Sequence, residues 1–97
     1  MVRPLKPRTI GRSPGATYFK PRGIPLRALS HVILTLDEVE AMRLSDMNGM
    51  NQTDAAKSMG VSQSTFHRIL ATAHHKTADA LLNGKAMKIE GGSILHA

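Results

Sequence analysis

Apolar side chains recur at helical spacing on both sides of a glycine in residues 52–71, QTDAAKSMGVSQSTFHRILA. Ala55, Ala56 and Met59 form one apolar face, which predicts a first short helix. Gly60 follows at once, where a chain that leaves a helix needs the positive φ angle that glycine adopts without steric cost. The pattern therefore predicts two helices joined by a tight turn.

The second helix is predicted to begin after Ser62, whose hydroxyl suits an N-cap, and to reach Asn83-Gly84. Its buried stripe is predicted to contain Phe66, Ile69, Leu70, Ala73, Thr77, Ala80 and Leu81. Two helices at this spacing are typical of a helix-turn-helix, in which the second helix lies in the DNA major groove. Plain helical bundles also contain such pairs. We predict a recognition helix over about residues 63–83.

A third helix is predicted before this pair. Residues 35–38, TLDE, form a capping box, and Asn48-Gly49 indicates the helix end. Arg43 lies beside the inner face, and we expect it to form a structural ion pair with Glu40 or Asp46. The inner face itself is predicted to contain Leu36, Val39, Met42 and Met47.

Two short segments have the composition of strands. Residues 17–20 are β-prone, and residues 86–90 alternate apolar with polar side chains. An unpaired strand leaves its backbone groups without partners, so we expect the two to pair, within one chain or between two. Residues 29–34 predict a third extended piece or a turn into the next helix. The predicted fold is mainly α, with a helix-turn-helix and a short pair of N-terminal and C-terminal strands.

The first 27 residues differ in composition from the rest. They contain all five prolines, seven of the thirteen basic residues and no acidic residue. Prolines favour extended backbone here, so we predict a basic arm over 1–16 and a single domain over 17–97. Such an arm either follows DNA phosphates or is a solvated tail. The phosphate hypothesis assigns it Arg3, Lys6, Arg8 and Arg12.

Composition narrows the possible partners. The chain has 97 residues and a net charge of +6, which favours a polyanionic partner. Aromatic residues make up 3% of the chain, too few for a binder that stacks unpaired bases, so duplex DNA is the better match. No apolar run approaches the roughly 20 residues that span a bilayer. The basic start lacks the apolar stretch of a signal peptide, and we expect a cytoplasmic protein.

The face opposite the buried stripe contains side chains that recognise bases. Arginine bonds guanine bidentately, glutamine bonds adenine, and alanine contacts the methyl group of thymine. We predict base contacts from Gln63, Ser64, His67, Arg68 and Ala71. Ser62 at the helix tip and His75 farther along are predicted to contact phosphates.

Metal and catalytic sites are not expected. The chain has five histidines and no cysteine. His74 and His75 are adjacent, so a helix separates their directions by about 100°, and His67 lies two turns away. No serine or threonine has an evident base partner, and no glycine-rich loop leads into a helix. We expect no cofactor and no enzymatic activity.

The runs TYFKPRGIPL and LTLDEVEAMRLSDMNGMNQTDAAKSMGVSQSTFHRILATAHHKTADALLNGKAMKIEGG carry a family resemblance. They resemble the predicted DNA-binding proteins of uncharacterised protein family 0251, domain of unknown function 134. The helical part is also similar to the sigma-factor region that binds the minus-35 promoter element. The resemblance implies a sigma-like trihelical core and a regulatory role.

Together these observations predict a sequence-specific duplex DNA-binding protein, a transcriptional regulator that acts as a homodimer. A first alternative is a protein-interaction module that docks on polymerase or a regulator through a sigma-like fold. A second is a binder of structured RNA that uses the same basic surface. The operator and any small-molecule effector are not encoded in a recognisable pattern.

Overall fold

The computed structural model describes residues 7–96 of the chain. Within that range the structure is a small domain of three α-helices and five short strands, about half helical. The elements are β1 (Arg8–Ile10), β2 (Tyr18–Phe19), β3 (His31–Leu34), α1 (Leu36–Met42), α2 (Gln52–Met59), α3 (Gln63–Asn83), β4 (Ala86–Ile89) and β5 (Ile94–His96). A π-helical segment, Arg43–Met47, continues α1, and we refer to it as the π turn.

The helices enclose the main core. Both α1 and α2 pack against α3. Ala55 and Ala56 face α3 as the pattern predicts, and their small side chains let the two helices approach closely. Phe66 and Met59 are fully buried at the centre. The remaining members of the buried cluster are Ala41, Leu44, Ile69 and Leu70.

A three-stranded sheet of order β2-β4-β3 forms a second layer, and α3 contacts both β3 and β4. Strand β2 is antiparallel to β4, with Tyr18 opposite Lys88. The predicted pairing of the two segments is thus confirmed, and in this structure it lies within one chain. The 29–34 segment contributes β3, which runs parallel to β4.

A second sheet joins the two ends of the described chain. Strand β1 runs parallel to β5, with Arg8 opposite Ile94. Strand β1 also packs against α1 and α2, and the Ile10 side chain is 1% exposed. This strand lies inside the 1–16 segment that composition marks as an arm. Three residues are too few for a periodic pattern, so the sequence does not reveal it.

Caps end the helices where the sequence predicts them. The Asn51 side chain accepts a hydrogen bond from the Asp54 N–H at 2.8 Å, and the Ser62 hydroxyl accepts one from the Thr65 N–H at 3.1 Å. Gly60 has a φ angle of 69° at the end of α2. The turn between α2 and α3 therefore forms from local bonds.

Two residues predicted to face the core are exposed instead. Met47 is 65% exposed, because the wider π turn rotates the last residues of the α1 helix away from an ideal α-helical face. Leu81 is 71% exposed, because the neighbouring Ala80 is the residue that α3 buries at that level.

Helix α1 buries three carboxylates, which the apolar pattern does not show. Glu40 accepts two hydrogen bonds from Arg43, at 2.7 and 2.8 Å, which confirms the expected ion pair. It also accepts from the Gly11 N–H at 2.6 Å. Glu38 pairs with Lys76 of α3 at 2.8 Å. Because a buried charge is stable only with partners, these bonds connect α1 to its neighbours.

Candidate nucleic-acid interface

The first turns of α3 present the side chains that sequence analysis assigns to base reading. All five, Gln63, Ser64, His67, Arg68 and Ala71, are exposed. The opposite side of the same turns is buried through Phe66, Ile69 and Leu70. Packing on α1 and α2 therefore orients the polar face of α3 towards solvent.

Four of these residues surround one shallow depression: Gln63, Ser64, His67 and Arg68. Gln52, the first residue of α2, forms the remaining wall. Gln52 is not among the residues that the sequence predicts to contact DNA. Its position at the N-terminal end of the first helix was the available signal, since that helix crosses the DNA backbone in helix-turn-helix proteins.

Hydrogen bonds orient two side chains of this surface. The Thr53 hydroxyl donates to Gln63 Oε1 at 3.4 Å, a long contact between the start of α2 and the start of α3. Arg68 Nη2 donates to the Thr65 hydroxyl at 3.3 Å. A guanidinium has five N–H donors, so this bond leaves Arg68 with donors for a further acceptor.

Ion pairing leaves an excess of positive charge on the surface. All seven acidic residues lie in the described part of the chain, and each contacts a cation, a histidine or an amide. Lys57 of α2 and Arg68 of α3 form no ion pair with any carboxylate of residues 7–96. The same holds for Arg12, Lys20, Arg22 and Arg27. These six cations, of which Lys57 and Arg68 lie on α2 and α3, are therefore available to a polyanion.

The residues proposed for phosphate contact have different positions. Ser62 is exposed at the tip of α3, and its hydroxyl is used by the helix cap. His75 is exposed on the same helix. Arg12 is exposed too, but it lines an apolar groove that shares no residue with the depression on α3. Arg3 and Lys6 lie outside the described residues.

Arg8, which the sequence predicts to contact a phosphate, is mostly covered in the structure. Its side chain is 11% exposed, and its Nε lies 3.8 Å from the Asp37 carboxylate. Strand pairing with β5 holds this side chain over α1. This contact connects β1 to α1, and the phosphate contact of Arg8 stays a prediction.

Histidines do not gather into a metal centre in the described region. Among residues 7–96 no group of three or more His, Cys, Asp or Glu side chains is arranged to hold a metal ion. His74 bonds the Asp46 carboxylate at 2.7 Å, which joins α3 to the π turn. None of the helices described is both long enough and apolar enough to cross a membrane.

The far end of α3 is fastened by a small polar network. Asp79 accepts from Lys85 at 2.9 Å and from Asn83 at 2.7 Å. The hydrogen bond from Lys85, followed by that from Asn83, lowers the pKa of Asp79. The network connects the end of α3 to the start of β4.

Comparison with known proteins places the whole described domain in one family. The family model "Protein of unknown function DUF134" matches residues 1–96. A UPF0251 protein of Pelotomaculum thermopropionicum is 52% identical over 94 residues, which cover 97% of this chain and 71% of that protein. One of Caldanaerobacter subterraneus is 53% identical over 93 residues, which cover 96% of this chain and 79% of that protein. No solved structure matches significantly. The chain belongs to the DUF134 family of proteins of unknown function.

Proposed function

We propose that this protein binds duplex DNA sequence-specifically and regulates transcription. Helices α2 and α3 act as the helix-turn-helix, and α1 completes a sigma-like trihelical core. The observation that carries the proposal is the exposed polar face of α3, on a helix whose opposite side is buried against α1 and α2.

The dimensions of this face suit a major groove. From Ser64 to Ala71 the helix advances about 10 Å, at 1.5 Å per residue. Successive base pairs are about 3.4 Å apart, so the face spans roughly three of them. The groove is about 12 Å wide and admits one α-helix.

The exposed groups supply complementary readout chemistry. Arg68 has free donors for the O6 and N7 atoms of guanine, and Gln63 has an amide for adenine. The N-terminal tip at Ser62, with the positive end of the helix dipole, favours a phosphate beside it. Lys57 adds a positive charge from α2. Gln63 and Arg68 line the same depression, which a single duplex contacts.

The test uses a binding site selected from a random duplex pool. Arg68→Ala should weaken binding to the selected site by about 1–3 kcal/mol and binding to random duplex much less. Arg27→Ala is the matched control, because Arg27 is likewise exposed and forms no ion pair with a described carboxylate. It should leave the ratio of the two affinities unchanged. Equal losses on both duplexes for Arg68→Ala would contradict base reading.

A protein-docking module is the second candidate, and one observation favours it. Leu81 and Leu82, adjacent at the end of α3, are 71% and 84% exposed. Exposed leucines serve a protein contact better than a DNA backbone. Under this alternative, Leu82→Gln would weaken binding to core RNA polymerase, measured by fluorescence anisotropy. Arg68→Ala would then leave DNA affinity unchanged.

A further inference from the structure

An apolar groove of about 670 Å³ shares no lining residue with the depression on the proposed DNA face. The π turn and α1 form one wall, and residues 12–16 with strands β2 and β4 form the other. Grooves of roughly 300–1,000 Å³ with apolar walls and few polar groups are typical of small-molecule sites. The size alone therefore admits a ligand.

The walls contain large apolar side chains that the domain itself leaves uncovered. Phe19 is 49% exposed and Met47 is 65% exposed, and both line the groove. Met42 of α1 is half-buried and lines the groove on the same wall as Met47. Methionine is unbranched and flexible, so this wall adapts to apolar bodies of different shape.

One guanidinium of the groove is available to an anion. The carboxylate of Asp46 bonds His74, and the guanidinium of Arg43 bonds Glu40 through two nitrogens. Arg12 lines the same groove and forms no ion pair with a described carboxylate. A planar guanidinium matches a carboxylate with two parallel hydrogen bonds.

The π turn is a second, independent feature of this wall. Three of its residues, Arg43, Asp46 and Met47, line the groove. π-helical segments are rare and occur frequently at functional sites, where the wider turn re-aims side chains. Here the widened turn leaves Met47 in the groove instead of the core.

We propose that this groove binds a small amphipathic carboxylate. Its apolar body lies against Phe19, Met42 and Met47, and its carboxylate bonds the guanidinium of Arg12. The site is separate from the DNA face and does not rest on the proposed function, since ligand binding is measured on the protein without DNA.

Three probe ligands distinguish the contribution of the carboxylate from that of the apolar chain. The binding of each probe is measured by NMR chemical-shift titration. Octanoate carries both features, octan-1-ol carries the body alone, and acetate carries the charge alone. Octanoate should bind most tightly, with shifts at Met47 and its groove neighbours. Arg12→Gln should raise the Kd of octanoate about tenfold and leave that of octan-1-ol unchanged. Met47→Gln should weaken both.

Matched controls keep the result independent of folding. Arg22→Gln and Leu82→Gln change an exposed arginine and an exposed leucine outside the groove, and both should bind octanoate as the parent does. Equal affinity for octanoate and acetate would overturn the proposal. So would control variants that lose as much affinity for octanoate as Arg12→Gln and Met47→Gln do. A concentration-dependent dimer that Met47→Gln abolishes and Leu82→Gln preserves would assign the groove to a second copy of the chain and also overturn it.

Discussion

Three buried carboxylates on α1 connect separate parts of the domain. Asp37 lies beside Arg8 of β1, Glu38 pairs with Lys76 of α3, and Glu40 pairs with Arg43 of the π turn. An unpaired buried charge costs several kcal/mol, so each pair specifies which element lies beside α1. These three acidic residues therefore serve the fold, whereas the cations of residues 7–96 that lack a carboxylate partner are exposed.

The Glu40 pair predicts how stability depends on pH. Burial raises the pKa of Glu40, but the hydrogen bonds from Arg43 and the Gly11 N–H outweigh it, and the net pKa is lowered from 4.5. A lowered pKa means that the folded state binds the proton less readily than the unfolded chain. The contribution is therefore present above about pH 4.5 and is lost as the pH falls through the folded-state pKa.

Urea denaturation between about pH 3 and 7 measures this effect. Glu40→Gln should lower the free energy of unfolding at pH 7 by on the order of 1–3 kcal/mol and flatten its decline in acid. Glu90→Gln, at an exposed pair with Lys88, should change it by less than about 1 kcal/mol. Identical pH profiles for parent and Glu40→Gln would contradict the assignment.

A second residue-scale prediction concerns the turn between α2 and α3. Gly60 has a φ angle of 69°, and a Cβ there would lie 3.7 Å from the Thr9 hydroxyl, so there is room for a side chain. Gly60→Val should therefore cost about 1–3 kcal/mol through backbone strain alone. Gly15→Val is the control, because a Cβ there meets nothing within 4 Å and its φ is not positive. Melting temperatures of Gly60→Val and Gly15→Val that agree within a degree or two would show that the turn is not strained by a side chain.

At the scale of elements, α3 serves two layers. Its first half packs against α1 and α2, and it also contacts β3 and β4 of the sheet. Twenty-one residues span about 30 Å, longer than a DNA contact requires. The second half also contacts α1, through Lys76 and Thr77, so packing along the helix fixes the position of its first turns.

The orientation of α3 predicts contrasting effects for two leucines. Leu70 is 7% exposed, and Leu70→Ala should cost about 2–5 kcal/mol through lost contacts and a cavity. Leu81 is 71% exposed, and Leu81→Ala should change the free energy of unfolding by no more than about 0.5 kcal/mol. Chemical denaturation measures both. If both variants lose a similar free energy of unfolding, Leu81 is buried, as the helical stripe alone predicts.

At the scale of the whole molecule, the two ends of the described chain meet in the β1–β5 sheet, and positive charge remains on the surface. The proposed DNA complex then predicts a strong dependence on salt. Replacing Arg3 and Lys6 with alanine should weaken all duplexes about equally. It should flatten the slope of log K against log salt by up to about 0.9 per lost phosphate contact.

Lys85→Ala is the control for this titration, because Lys85 already pairs with Asp79 at 2.9 Å. Its slope should stay close to that of the parent. If Arg3 and Lys6 can be replaced without any change of slope, the basic segment is a solvated tail.

The local features of this fold follow from sequence alone. Asn51, Ser62 and Gly60 end or begin helices through bonds and backbone angles within a few residues. The capping residues and most of the buried face of α3 are therefore recognisable as patterns. So is the exposed face of Gln63, Ser64, His67, Arg68 and Ala71, because it lies opposite an apolar stripe. The strand character of β2 and β4 is recognisable too, but tertiary structure decided that they pair within one chain.

Tertiary contacts decided the rest. The β1–β5 pairing and the Arg8–Asp37 contact join residues far apart in the chain, and no period marks them. Met47 and Leu81 have the hydrophobicity of core residues, but exposure depends on what covers a position. The groove exists because a π turn, a proline-containing segment and two strands meet there. Hydrogen bonds between neighbouring residues can be predicted from the local sequence, whereas burial and cavities depend on how distant elements pack.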